Sequence, residues 1–523
     1  MNSKYERRLK LGIFLCGMAL VTLGGGLCAR PVTRYLYLDH WAYRYIDLLQ
    51  DRGYLRELSR SIRPYTRGEV AEAIARLAGG RKKLGGVEGG WVELLEREFA
   101  GDIRLLRSDG GGGPAYYLRG VGREDAVLQR NRGDADYFFS GEGVIRYPAL
   151  VFSTRFSVDQ GLFDDPYYLG RKDISLAGRI EDSYLLAGGR WITLFIGRTE
   201  RNWSPFPGTS LFLSRNPFSY DHLFLRLGGR RLALRSMFAR LSDLPSGYGG
   251  ESGVQRYLSA HRIDFRLGGW LQMGIFESAL YGRQGAGIDL ALLNPFSPYI
   301  VIENATSREM NSFVGFDAYF TPSSRWTASV QLLVDDVKLS IFGRPIFYGK
   351  EVEPNEFGMA LGATWADPFG LSHSNLHVRY VKVTNYTYNA PDSLERYLQA
   401  GKGLGAAPGN DFDELSEGIE FFPLNSWIFD VSSAYRRKGE GRVTDPFPAE
   451  FSSSHIPFPS GVVEKNLSLS AGARFQPSDR WFVRGRLGFE SIKNRDHLVG
   501  EDHVEMEGEL RIQASWGRWF PPR

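Results

Sequence analysis

Histidine is the side chain best suited to acid–base or metal chemistry near neutral pH. The chain has eight: His40, His222, His261, His373, His377, His455, His497 and His503. Only His373 and His377 stand four apart. They fall on a predicted loop and strand, where that spacing does not bring two imidazoles onto one helical face, and no acid follows in the metalloprotease pattern. The Gly-X-Ser-X-Gly elbow of a lipase is missing. Asp164-Asp165 and Asp335-Asp336 read as solvated turns before they read as calcium ligands. No catalytic residue, metal site or cofactor is therefore expected.

A different chemistry is written in one polar run. Arg198 is followed by Asn202-Trp203-Ser204-Pro205, by Gly208 to Ser214, and by Asn216-Pro217. Sugar polymers bind through a stacking face, planar hydrogen-bonding groups and small residues that allow close approach. An acidic polymer also favours Arg, whose fork pairs carboxylates. Arg198, Asn202, Trp203 and Asn216 are the polysaccharide-binding candidates. Trp203 can equally pack a loop or belong to a membrane girdle, and Arg198 can equally join an internal ladder of ion pairs. Arg is abundant throughout: 12 of the 64 basic residues are Lys, which leaves 52 Arg.

The elements that must position this run are strands. Aromatic residues make up 14% of the 523, with 11 Trp, 26 Tyr and 34 Phe, and Gly numbers 62. That enrichment suits strands and turns. A mean hydropathy of −0.27 excludes a bundle of many transmembrane helices, and a net charge of +4 is not the balance of a nucleic-acid binder. From about Asp134 to Phe520 the pattern alternates with period two. Leu467, Leu469, Ala471, Ala473 and Phe475 point one way, and Asn466, Ser468, Ser470, Gly472 and Arg474 the other. After the turn 476–480, Trp481, Val483, Gly485, Leu487 and Phe489 resume the apolar face. The same Pro-Ser-X-Arg-Trp turn recurs at 322–326. A Trp that opens the returning strand, after a short turn, is the interfacial girdle of a membrane barrel. Strands near ten residues, with short turns alternating with long loops, fit a transmembrane antiparallel β-barrel of 16–18 strands, with 18 favoured.

Before the barrel the reading is helical. Residues 1–29 have a basic start at Lys4, Arg7, Arg8 and Lys10 and an uncharged apolar stretch from Leu11 to Leu27, the pattern of a signal peptide. The two cysteines, Cys16 and Cys28, lie within it or at its edge, so no disulfide framework is expected. Residues 30–107 form a small helical domain. Trp41, Tyr45, Leu48 and Leu49 share one face, Asp39 is placed to cap that helix and Gly53 to end it, and Thr66 with Glu69 makes a capping box for the next. A third helix is expected from Trp91 to Phe99. Residues 108–133 read as a Gly-rich linker, and 134–523 as the barrel.

Two resemblances narrow the reading. Asp39-His40-Trp41-Ala42-Tyr43, Ile46, Leu49, Gly53, Pro64 and Thr66-Arg67-Gly68-Glu69 resemble a single S-layer homology module. That implies wall-polymer binding through Trp41 and Arg67; a helical hairpin that packs on the next domain is the alternative. The Trp203 run resembles the capsule-assembly Wzi family of outer-membrane barrels, with Ser204 where the family has Gly. Leu293-Asn294-Pro295 with Tyr299 and Glu303, Gln331 to Asp336, Tyr386-Thr387-Tyr388 and Gly403-Leu404-Gly405 with Gly409-Asn410-Asp411 follow in the family's order. This resemblance implies an 18-stranded barrel closed by a helical segment, which retains exported capsular or related surface polysaccharide without catalysis. Its partners would be that polysaccharide, outer-membrane lipid and, through the helical domain, peptidoglycan or another wall polymer, with no nucleic acid. Its place would be the outer membrane, the helical domain lying in the periplasm. A diffusion porin tethered to the wall, and an outer-membrane hydrolase of lipid or glycan, are the alternatives. A Ser–His pair on a barrel wall, as outer-membrane phospholipases use, has no sequence signature.

Overall fold

The computed structural model describes residues 31–80, 84–107, 115–129, 132–173, 177–243, 254–284, 287–306, 309–336, 340–341, 344–345, 354–448, 450–451 and 456–520. The expected signal peptide lies outside them, as do residues 108–114 of the expected linker.

Eighteen antiparallel strands form one closed sheet. In chain order they are β1 (Ala115–Gln129), β2 (Arg132–Tyr147), β3 (Leu150–Asp159), β4 (Gly178–Gly188), β5 (Ile192–Thr199) and β6 (Tyr220–Gly228). Next come β7 (Leu232–Leu241), β8 (Val254–Leu267), β9 (Leu271–Gln284), β10 (Asn311–Phe320), β11 (Trp326–Asp336) and β12 (Glu356–Ala366). The last six are β13 (Ser374–Val383), β14 (Phe412–Phe421), β15 (Trp427–Lys438), β16 (Glu464–Phe475), β17 (Trp481–Lys493) and β18 (His503–Phe520). The first and last strands pair, from Tyr116 opposite Phe520 to Gln129 opposite Glu507, and this pairing removes both sheet edges. The wall therefore begins at Ala115, inside the stretch read as linker, and not at residue 134. The outward alternation of β1 is broken by Gly120 and Gly122, which hid the strand; a Cβ at Gly120 would fall 2.2 Å from the Trp516 ring that covers it.

The alternation seen in the sequence sorts the two faces. Outward positions such as Phe152, Ile196, Leu223, Ile263, Ile275, Leu361, Val431, Leu469 and Leu510 are exposed, giving the barrel an apolar belt. Trp191, Trp270, Trp326 and Trp481 are exposed at the short turns, where Trp326 stacks on Trp365 with ring centroids 4.7 Å apart. The inward face carries ion pairs. The Arg262 guanidinium grips Asp317 through Nη1 at 2.5 Å and Nη2 at 2.8 Å, and both side chains are buried.

The N-terminal segment forms four helices: α1 (Ala42–Asp51), α2 (Arg67–Ala78), α3 (Gly86–Glu98) and α4 (Ala100–Arg107). The capping box at Thr66 and Glu69 is formed. Asp39 does not cap α1, whose N-cap is Trp41 with no side-chain hydrogen bond; Asp39 instead accepts from Arg155 of the wall. The expected third helix starts earlier than Trp91, and α4 follows it. These helices fill the lumen at the short-turn end. Arg44 pairs with Glu420 at 2.5 Å, and Arg52 with Asp367 at 2.9 Å. Arg230, in the turn between β6 and β7, reaches Glu72 at 2.8 Å, and Trp91 packs edge-on against Phe422.

Candidate functional site

Two long loops fold into the other half of the lumen. The segment between β5 and β6 turns inward. Arg63 and Asn202 exchange backbone hydrogen bonds at 3.0 and 3.1 Å, which ties this loop to the helical plug. Trp203 is completely buried beside Phe212, and Phe212 stacks on Phe276 of β9 at 4.3 Å. Gln331 of β11 donates to the Trp203 carbonyl at 2.8 Å and accepts from Leu211 N–H at 2.9 Å. The segment between β13 and β14 packs against it. Tyr388 donates to the Leu211 carbonyl at 2.6 Å, Ser214 N–H donates to Leu404, and Asn216 donates to Gly403 at 2.9 Å. Arg256 of β8 holds this second loop through the carbonyls of Leu394, Arg396 and Leu398.

The geometry gives each sequence-predicted binding residue a place. Asn202 and Trp203 are interior packing residues, so no sugar ring can stack on the indole. Asn216 ties one loop to the other. Arg198 shares the outward parity of the exposed Ile196 and pairs with Asp221 at 2.8 Å on the outer wall, away from the lumen. In the plug, Trp41 is buried, and Arg67 is enclosed by Glu98 at 2.8 Å and Asp102 at 2.9 Å. Burial alone would lower the Arg67 pKa, but the two carboxylates hold it well above the ordinary value. Neither side chain offers a face to a wall polymer.

The groups that do face solvent near the long loops were not predicted as a site. Tyr386, Phe447 and Phe451 form a half-buried triangle of rings with centroids 5.1–5.5 Å apart. Tyr386 has φ +67°, an unusual backbone for an aromatic residue, and its N–H donates to Asn385 Oδ1. Buried Asp411 locks the surrounding loops by accepting from Gly441 N–H at 3.0 Å and Ser460 Oγ at 2.6 Å. Lys382 stands 4.1 Å over the Phe458 ring. Along β17 and β18, inward-facing Arg486, Glu490 and Glu507 are exposed, so water reaches the lumen wall there. Among the described residues no group of three His, Asp or Glu side chains is arranged to hold a metal ion. Charge in the loops is also shaped by burial: Glu200 is pushed up to about 7, with Arg215 opposing the shift.

An apolar belt, Trp at the short turns, and first strand paired to last describe one architecture. The fold is that of an outer-membrane β-barrel. No protein-family model matches this sequence, and neither does any curated protein. Among solved structures the chain is similar to Wzi of Escherichia coli, described as a carbohydrate-binding β-barrel involved in group 1 capsule assembly. The two share 14% identity over 91% of this chain and 98% of that one, with a TM-score of 0.60. OprD of Pseudomonas aeruginosa aligns at 11% identity over 77% of this chain and 95% of its own, with a TM-score of 0.44. The likeness to Wzi is one of fold. The single S-layer homology module has no support among these comparisons.

Proposed function

We propose that this protein is an outer-membrane barrel that holds exported surface polysaccharide at its outer mouth without cleaving it, with the helical plug toward the periplasm. The observation that carries this reading is the occupied lumen: helices fill one half and two interlocked loops the other, an arrangement unsuited to free diffusion of solutes. The likeness to Wzi supports it. Tyr386, Phe447 and Phe451 supply stacking faces at the long-loop end, and Lys382 adds a cation there. Stacking of one ring contributes about 1 kcal/mol beyond area burial. Each contact is thus weak, and retention arises from many polymer repeats engaging many barrels at once.

The test is polymer pull-down with purified barrel, together with measurement of cell-associated glycan. The double substitution Tyr386→Ala with Phe447→Ala should release glycan into the medium while total glycan and folded barrel stay constant. Unchanged cell-associated glycan with intact barrel would overturn the assignment to this mouth. Lipid contacts the apolar belt. Wall binding by the plug, if sacculi do sediment it, would require residues other than the buried Trp41 and Arg67.

A further inference from the structure

On the outward face of β8 the apolar alternation fails in mid-strand. Arg256, Leu258, Ala260 and Arg262 point into the lumen, where Arg256 holds the inner loop and Arg262 grips Asp317. Ser259 and His261 therefore share the outward parity of exposed Ile263. Glu277 of β9 lies directly opposite His261 in the register. His261 is six residues from Leu267, about 20 Å along the strand and about 15 Å along the membrane normal at a tilt of ~40°. Measured from the turn that carries Trp270, that height is beyond the middle of a ~25 Å apolar band. Ionisable and hydroxyl groups on a lipid-facing wall are destabilising unless something satisfies them.

They are satisfied by a cover. Residues 287–306 include α5 (Leu290–Leu293) and α6 (Tyr299–Thr306) and lie against the outside of the wall. Leu292, Tyr299 and Met310 pack with Phe238, Tyr257, Ala279 and Tyr281 in an apolar cluster separate from the lumen core. Glu303 accepts from Ser312 of β10, and Tyr299 N–H donates to Glu277 Oε2 at 3.0 Å. The far side of this cover is apolar and open: Leu290 is 75% exposed and Phe296 71%. It continues the apolar outer surface of the wall.

Beneath the cover runs a chain of polar contacts. Glu277 Oε1 lies 3.4 Å from His261 Nδ1, His261 Nε2 lies 2.6 Å from the Tyr299 hydroxyl, and that hydroxyl lies 2.5 Å from Ser259 Oγ. We propose that Ser259, His261 and Glu277 form a hydrolytic site for the acyl esters of membrane lipids, with residues 287–306 as its lid. The three residues stand on two neighbouring strands, so the sheet register fixes their backbone positions. Glu277 orients the imidazole, His261 presents Nε2 as the base, and Ser259 is the nucleophile. In the seated state the Tyr299 hydroxyl stands between base and nucleophile. Lifting α6 removes it, and Ser259 and His261, two apart on one strand face, then meet by side-chain rotation.

In the reaction Ser259 Oγ bonds to the ester carbonyl carbon while its proton passes to His261 Nε2. The carbon–oxygen bond to the lipid alcohol breaks, and that alcohol leaves with the proton from His261. Water, losing its proton to His261, then attacks the acyl-Ser259 ester and releases the fatty acid, and the proton returns to Ser259. The site is on the opposite face of the wall from the glycan reading and does not depend on it.

The test uses full-length folded barrel in mixed micelles of phosphatidylethanolamine and detergent, with folding checked by heat-modifiable migration. A fluorophosphonate probe should label Ser259, located by mass spectrometry, and fatty acid should be released. Tyr299→Ala should raise both by about tenfold or more, as expected when a minor open state becomes the major one. Ser259→Ala should abolish both, and His261→Ala should abolish release with the fold intact. Absence of label and release in both folded wild type and Tyr299→Ala would overturn the proposal. Release that persists in Ser259→Ala would overturn it too, by revealing a contaminating lipase.

Discussion

At the scale of single residues, burial decides what each group can do. His40 lies in the plug with Arg119 Nη1 2.9 Å from its Nε2, and Glu98 at 3.3 Å. Glu98 alone would favour a charged ring, but burial first and Arg119 second outweigh it, and the pKa falls to about 4. The native state thus keeps the imidazole neutral where the unfolded chain begins to take up a proton near pH 6.5. Stability is unaffected above that pH and is lost as pH falls from about 6.5 to about 4, by roughly 3 kcal/mol in all. The hydrogen-exchange protection factors of α1 should fall over that window in wild type and much less in His40→Gln. Trp203 gives the second prediction. Its indole is fully buried, so Trp203→Ala should cost about 3–5 kcal/mol. Chemical denaturation would report this, and glycan retention per folded barrel should not change. Loop packing of Trp203 is one of the readings that the Arg198–Asn216 run leaves open. The residue types fitted a sugar site, and only contacts with Gln331, Tyr388 and Leu404, more than a hundred positions away, turn the loop inward.

Elements were more legible, because their signals are local. The capping box at Thr66 can be read from four consecutive residues, and Thr66 Oγ1 does accept from Glu69 N–H at 3.3 Å while Glu69 accepts from Thr66 N–H at 2.8 Å. Thr66→Ala should lower plug stability by about 1 kcal/mol. Exchange of the first turn of α2 should speed up while the barrel strands stay protected. The strands of the C-terminal half were legible because lipid outside and water inside impose a strict two-residue period, as in Leu467 to Phe475. β1 escaped detection where glycines replace that period and a ring from β18 covers the gap. The same period conceals exceptions: Ser259 and His261 sit among residues too mixed in polarity to mark a site, and only the register with β9 and the return of 287–306 bring them together with Glu277 and Tyr299.

For the whole molecule, closure of the lumen is the property with measurable reach. Planar bilayers holding the purified protein should show little steady current. Removing residues 31–107 together with loop residues 203–214 should raise conductance well above the wild-type value, because helices packed through Arg44–Glu420 and Arg52–Asp367 occupy the short-turn half and that loop the other. An unplugged wild-type current as large as that of the truncated chain would contradict the packed lumen. The fold class and strand number followed from composition, turn spacing and family order. The union of plug and wall did not, since ion pairs between residues hundreds of positions apart leave no periodic trace.

The pairing of β1 with β18 carries a consequence for biogenesis. The seam joins the first and last strands to emerge during synthesis, so the cylinder stays an open, curved sheet until the final strand arrives. The plug precedes β1 in the chain, yet its partners Arg155, Asp367 and Glu420 are spread around the circumference. Its seat does not exist before the seam is made. Helices that are exported first must therefore wait, and their docking is a molecular signature that assembly has finished.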